Sequence, residues 1–467
     1  MAPRPEKRVC KDDGVKYTLK EFKEYYGEKK GQKIWEAAGK AAEKAAAKPK
    51  AEPKAKAKAK AKAKAKAQAK PPRKPKVDEE LLAKALEKAK GSDAKTLHLI
   101  EPLDEGMPES KHFKIESTPV PEVKEGSFLL ELLAISADPY MRGSIKSGSG
   151  ATAGMPMKGF VVGRILESKC PKWFPGDLLG ASLPYTTVQV LTQEDLDKTV
   201  SWRLTGVLND SNYTLGAGVL GMPGSTAWAG FFDILKPKRA PKRGEPNGET
   251  LFVSAASGAV GQLVGQLGKL CGCKVIGSAG GPEKCATIKE KFGYDHAIDY
   301  KTCKDADELK AKLKECAPDG IDMYFENVGG MHWDAAFGSL KPKGRIAVCG
   351  VISQYNDSSF AASSLPLWAL IYPQIKIEGF VCFEWLAGKK GHFLRDMVRY
   401  WKKGQLQTTE TIMDGLDKWP EAFQSLFTGA NNGKVVVTLG EVLPLRAPRE
   451  KKEEEKKEEE KKEEEAK

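Results

Sequence analysis

The stretch whose residue types and spacing best suit chemistry is Ala256-Ser257-Gly258-Ala259-Val260-Gly261. It follows the apolar run Leu251-Phe252-Val253 and leads into Val260, Leu263, Val264, Leu267 and Leu270, which recur at helical spacing. Strand, glycine turn and helix in that order leave backbone amides and the positive end of a helix dipole facing outward, a setting for phosphate. Gly258 lets the backbone approach a pyrophosphate, and Gly261 lets the helix pack against the strand. The pattern is one glycine short of the full dinucleotide fingerprint, and an unliganded βα turn would use the same glycines.

The next strand, Lys274–Ser278, bears on which nucleotide is bound. An NAD site ends this strand on an acid that binds the ribose hydroxyls. Here the sequence reads Ser278-Ala279-Gly280-Gly281, with Lys284 in the first turn of the following helix. This favours NADP over NAD, with Lys284 against a 2′-phosphate. An ordinary solvated lysine beside Glu283 is the alternative.

The turn requires a sheet to carry it. Ala297–Tyr300, Ile321–Glu326, Gly344–Cys349 and Lys376–Val381 read as further strands, with helical stretches at Asp305–Cys316 and Trp333–Leu340 between them. Six strands with crossover helices make a doubly wound parallel sheet. Before it, from about Lys95 to Thr214, strand-like runs such as Phe128–Ile135, Lys158–Leu166 and Leu178–Leu191 imply a separate β-rich unit. Lys434–Leu439 reads as a strand returning to that unit. The fold class is α/β: a β-rich domain and a doubly wound (Rossmann) domain, with a low-complexity basic extension; the family resemblance given below implies that the β-rich unit is a GroES-like catalytic domain. The expected divisions are a small helical element over 1–48, a linker with one short helix over 49–92, the β-rich domain over 93–220, the nucleotide domain over 221–375, a return over 376–442 and a charged tail over 443–467.

Of the 467 residues, the first 100 hold 29 of the 76 Lys and Arg but 14 of the 63 Asp and Glu, so that stretch carries +15 and the remainder −2. Lys and Ala alternate from Lys54 to Ala67, which cannot bury a core and predicts an extended linker. The basic arm could attract an acidic partner. It lacks aromatics to stack on bases, so nucleic acid is not expected. Thr18 and Glu21 fit a capping box for a helix over Leu19–Tyr26. KKEEE repeats three times from Lys451, a solvated helix or disorder. No apolar run reads as a signal peptide or transmembrane span, and nine cysteines, an odd number, suit reduced thiols in the cytoplasm.

Seven blocks, in order, resemble the medium-chain dehydrogenase/reductase superfamily, and within it the zinc-free alkenal (double-bond) and prostaglandin reductases. They are DPYMR at Asp138, GMPGSTAW at Gly221, SAASGAVGQLVGQ at Ser254, YFENVGG at Tyr324, CGVISQYN at Cys349, EGFV at Glu378 and NNGKVVV at Asn431. The resemblance implies that Gly258, Ala259, Val260 and Gly261 wrap the pyrophosphate of NADP(H), and that Lys284 and Tyr300 hold its adenosine phosphate end. It places Asn327 at the carboxyl edge of the sheet. Cys349, Gly350, Val351, Ile352, Ser353, Gln354 and Tyr355 border the nicotinamide side, with Phe380, Val381, Cys382 and Asn431 as later contacts. Met222 and Thr226 lie near the nicotinamide. Tyr355 is the first candidate for the polar catalytic group and Tyr140 the second; either could instead be a packing residue. A homodimer and a small conjugated carbonyl substrate are also implied.

Zinc-dependent relatives use a catalytic Cys, a Gly-His-Glu segment and a four-cysteine loop. The five histidines here, His98, His112, His296, His332 and His392, have no such spacing, and Met157-Lys158-Gly159-Phe160 lacks His. No metal is expected. Hydride delivery to an isolated carbonyl builds an alkoxide that zinc would stabilise, whereas delivery to the β-carbon of an enal or enone builds a delocalised enolate that hydrogen bonds can hold. The expected activity is NADPH-dependent C=C reduction. The alternatives are a quinone reductase on the same scaffold and a tethered interaction protein.

Overall fold

The structure, a computed structural model, describes residues 7–9, 16–19, 28, 32, 35, 36, 74–242, 244–357 and 367–445. The Lys/Ala run, the KKEEE tail and most of the expected helix after Thr18 lie outside the described residues. The chain divides into two units, 1–72 and 73–467. In the first, β1 (Lys7–Val9) pairs antiparallel with β2 (Lys16–Thr18). This antiparallel pair lies within the stretch expected to hold a small helical element; three-residue strands are too short to show a period.

The second unit opens with the helix Glu79–Lys90, capped by the Asp78 carboxylate on the amides of Glu80 and Leu81. Ala85 and Ala89 pack with Val123, Leu129, Leu166 and Leu445. The helix thus belongs to the folded unit and not to the linker. After it come β3 (Ala94–Leu99), β4 (Phe113–Thr118), β5 (Ser127–Ser136), β6 (Lys158–Ser168), β7 (Leu178–Pro184), β8 (Val188–Thr192) and β9 (Ser201–Arg203). β3 and β4 form a two-stranded sheet of their own. Pro184 ends β7, so the single apolar run expected from Leu178 to Leu191 is two strands. β5 is almost wholly buried and lies at the centre of a seven-stranded sheet, paired with β6 and β8.

The parallel sheet follows: β10 (Thr250–Val253), β11 (Lys274–Ala279), β12 (His296–Asp299), β13 (Ile321–Glu326), β14 (Leu340–Val348) and β15 (Lys376–Gly379), in the order β12-β11-β10-β13-β14-β15. All four residues of β10 are buried, as a central strand covered by helices on both faces must be. Because β15 pairs with β14, the boundary expected at residue 376 lies later in the chain. The return to the β-rich sheet comes with β16 (Glu410–Asp414) and β17 (Lys434–Thr438), β17 pairing antiparallel with β5.

Side-chain amides join the two sheets. Gln262 and Gln266, four apart on the helix Gly261–Leu270, face the same way. Gln262 Oε1 accepts from the Thr409 amide at 2.8 Å and Gln266 Oε1 from the Gln407 amide at 2.7 Å, while both Nε2 groups donate back to the same residues' carbonyls. The helix that begins at the glycine turn is thereby fixed against the segment leading into β16.

Candidate active site

Between the carboxyl ends of the parallel strands and the start of β17 lies a cleft of about 680 Å³. This is the crevice where open α/β sheets bind ligands. Its floor is the glycine turn. Ala255 there has φ 48° and Gly258 donates its amide back to the Ala255 carbonyl at 2.9 Å. Gly258 forms an isolated parallel bridge with Gly433, and among the described residues the amides of Val260 and Gly261 have no acceptor. A Cβ at Gly261 would lie 2.4 Å from the Ala255 carbonyl oxygen, so only glycine permits this turn. Free amides at the start of a ten-residue helix form an anion cradle.

At one end of the cleft, β11 finishes on buried Ser278 and Ala279 with no acid. Lys284 lines the cleft and donates from Nζ to the Gly429 carbonyl at 2.7 Å, at the end of the helix Trp419–Thr428. Burial holds its pKa below the usual lysine value, with the nearby Lys301 cation adding to the effect. Tyr300 lies beside it, and its hydroxyl would be 3.0 Å from a Cβ at Gly280. These are the two residues expected at the adenosine phosphate end.

In the middle, Asn327 is positioned by a network that the sequence did not reveal. Its Nδ2 donates to the Ser254 carbonyl at 2.7 Å, and its amide to Ser254 Oγ at 2.9 Å. Ser254 Oγ in turn donates to Oε1 of the fully buried Glu326, which also accepts from the Val328 amide. Asn327 spends its donor on the scaffold, and its side-chain oxygen makes no such bond.

At the other end both tyrosines line the cleft. The Tyr355 hydroxyl accepts from the Val351 amide at 3.3 Å and keeps its own proton free to donate. Burial raises its pKa further above the ordinary phenol value. Tyr140 packs its ring against Phe160, 6.3 Å between centroids, and is 40 % exposed. Enclosure of its hydroxyl end raises the phenol's pKa, and the nearby Asp138 carboxylate adds to the effect. Both hydroxyls are therefore protonated at neutral pH. Beneath Tyr140, the buried Lys434 donates to Asp138 Oδ1 at 2.9 Å and to the Ala137 carbonyl at 2.6 Å, tying β17 to the DPYMR turn.

The structure brings Gly350, Ile352, Ser353, Phe380, Val381, Asn431, Met222 and Thr226 to the same cleft. Thr226 is occupied in its own helix, donating to the Met222 carbonyl at 2.9 Å. Cys349 and Cys382 also line the cleft, and burial raises both thiols' pKa, so neither is a nucleophilic thiolate. Val351 and Gln354 are the exceptions. They do not line the cleft, and instead close the turn, Gln354 donating its amide to the Val351 carbonyl at 2.9 Å. Among the described residues, no group of three or more His, Cys, Asp and Glu side chains is placed to hold a metal ion. Arg142, His332 and the chain around Gly429 join the site's surroundings without having been singled out. Arg142 sits in the DPYMR block, and that block was the one available signal.

Comparison with known proteins agrees with this geometry. Residues 259–391 match the model of the zinc-binding dehydrogenase family, and residues 97–199 that of the N-terminal domain of oxidoreductases. The chain is 39 % identical to prostaglandin reductase 1 of Bos taurus over 333 residues, covering 71 % of this chain and 95 % of that protein. It is 40 % identical to the NADP(+)-dependent 2-alkenal reductase of Nicotiana tabacum over 345 residues, covering 71 % and 94 %. Among solved structures, CurA of Vibrio vulnificus in complex with NADPH superposes with a TM-score of 0.65 at 33 % identity, covering 74 % of this chain and all of that one. The chain belongs to the medium-chain dehydrogenase/reductase superfamily, among the relatives of the prostaglandin and 2-alkenal reductases.

Proposed function

We propose that this protein is an NADPH-dependent reductase of the C=C bond in α,β-unsaturated aldehydes and ketones. The observation that carries the reading is the pairing, in one cleft, of a free-amide cradle with two protonated tyrosines. The named activities of the bovine and tobacco relatives support it.

Bound NADPH supplies a hydride to the substrate's β-carbon. The amides of Val260 and Gly261 hold the pyrophosphate, and Lys284 with Tyr300 the 2′-phosphate end. Tyr355 donates its hydroxyl proton as a hydrogen bond to the carbonyl oxygen, where negative charge develops. Tyr140 closes the same end and is the second donor. The apolar surfaces of Phe380, Val381 and Met222 line the cleft that takes the substrate. Proton delivery to the α-carbon comes from solvent through the open side of the cleft. The protein works as a homodimer on a small conjugated carbonyl, in the cytoplasm.

The test is steady-state oxidation of NADPH and NADH with an enal, an enone and a quinone. Turnover of the enal and enone, faster with NADPH, is expected. Turnover of the quinone alone would replace this reading with the quinone reductase.

A further inference from the structure

The start of β17 touches both sides of the cleft. On the cofactor side, Gly433 bridges Gly258 of the glycine turn, and Asn431, which lines the cleft, donates from Nδ2 to the Gly433 carbonyl at 3.1 Å. The Lys434 amide donates at 2.9 Å to the Thr409 carbonyl, which also accepts from Gln262 of the helix behind that turn. On the substrate side, β17 runs antiparallel to β5, so its first residues meet the last of β5. There the Ala137 amide donates to the Val435 carbonyl, and the Lys434 ammonium reaches past the end of β5 to the Ala137 carbonyl and Asp138 Oδ1. Ser136 Oγ donates to Asp138 Oδ2. The Asp138 carbonyl accepts the Met141 amide at 3.1 Å, closing the turn that carries Tyr140.

Lys434 and Asp138 are each 2 % exposed. A buried ion pair is a weak source of stability, because desolvation consumes most of the attraction, and apolar residues of like volume often serve as well. What the pair supplies that apolar side chains cannot is direction. The bonds from Lys434 to Ala137 and Asp138, and from Ser136 to Asp138, fix where the turn sits relative to β17. The placement gives that direction a use. Asp138 lines the cleft two residues before Tyr140, and Lys434 directly follows Gly433, which lines the cleft on the cofactor side.

We infer that Lys434 and Asp138 are positioning residues: their ion pair sets the Tyr140 hydroxyl against the substrate carbonyl, in register with the cofactor held at the Gly258 turn. This rests on the reductase reading above, with Tyr140 as the second donor. The pair acts through Tyr140.

The experiment is a double-mutant cycle on the full chain, with an enone and NADPH, accompanied by urea unfolding of each variant. Asp138→Asn keeps the side chain's shape and removes its charge. It should lower kcat about tenfold, the scale of a small misplacement of a donor, with the Kd for NADPH unchanged. In the Tyr140→Phe background the same substitution should cost nothing further in kcat, because no hydroxyl is left to place. A purely structural role would lower the urea midpoint and leave the rate per folded molecule unmoved, or would lower that rate equally in both backgrounds. Either result overturns the inference. Where Asp138→Asn fails to fold, Ser136→Ala removes one donor to Asp138 and repeats the cycle, with an expected loss of about threefold. If the wild-type protein binds NADPH but turns over neither an enal nor an enone, the reductase reading falls and this inference with it.

Discussion

The Arg142 guanidinium, fully buried, donates from Nε to Asn356 Oδ1 at 3.0 Å. Its remaining nitrogens donate to the carbonyls of Leu103 at 2.6 Å and Gly106 at 3.1 Å, and the Gly106 amide donates back to the Asn356 carbonyl at 3.0 Å. Asn356 directly follows Tyr355. A cation rooted in the β-rich sheet's segment thus fixes the loop of the nucleotide-binding half that carries the proposed hydrogen-bond donor.

Arg142→Met should therefore lose activity through position. Three acceptors would lose their partner, two on the half-buried Leu103 and Asn356 and one on the exposed Gly106, a cost on the order of 1–2 kcal/mol in stability. Urea unfolding measures that loss. Asn356→Ala removes one of the three and should lower kcat by about tenfold, a barrier change of about 1.4 kcal/mol, while NADPH affinity holds.

Tyr355→Phe deletes the donor and also the acceptor of the Val351 amide. The kcat for an enone should fall about 10²-fold with the Kd for NADPH unchanged, the scale of losing one oxyanion donor. Tyr140→Phe should cost less. Equal losses would mean that both hydroxyls reach the oxygen, and kinetics on the two variants and the double variant distinguish these cases.

His332 has a linkage consequence. Its pKa is about 4 folded against 6.5 in the reference state. A depressed folded pKa stabilises the protein above pH 6.5, and that contribution is lost as pH falls towards 4. It is worth about 3 kcal/mol at most. Unfolding curves at pH 7 and pH 4.5 should differ less for His332→Phe than for the wild type.

Lys284 carries the pH dependence of cofactor binding. Burial lowers its pKa from 10.5, so its charge is lost earlier than that of a solvated lysine as pH rises. NADPH affinity should weaken through the alkaline range, and Lys284→Met should remove that limb and reduce the preference for NADPH over NADH. Fluorescence titration with both nucleotides from neutral to alkaline pH measures it.

The ends of the chain separate by packing. Deleting Met1–Pro72 should leave kinetics and Tm unchanged, since that stretch is a separate unit. Deleting through Lys90 also removes the buried Ala85 and Ala89 and exposes Leu129 and Leu166, and should lower Tm measurably.

What was legible in the sequence follows from periodicity. β10, the glycine turn and the helix Gly261–Leu270 could be read because an apolar run, a glycine pair and a 3.6 period coincide there. The six strands with their crossover helices could be read for the same reason, while their spatial order comes from the structure. What could not be read depends on contacts distant in sequence. Arg142 reads as a surface residue until Leu103, Gly106 and Asn356 surround it. In the sequence His332 is one of five scattered histidines, and only the structure sets it beside Tyr300. Val351 and Gln354 were included through their neighbours in the CGVISQYN block, yet a short turn of 3₁₀ helix points successive residues in different directions.

The central claim is conjugate reduction from a nucleotide held at the glycine turn. It is tested most directly by turning over a plain enone with NADPH deuterated at the transferred C4 position and locating the label by NMR. The account predicts deuterium on the β-carbon of a saturated ketone. Deuterium on the carbonyl carbon of an allylic alcohol, or no label in the product, would contradict it.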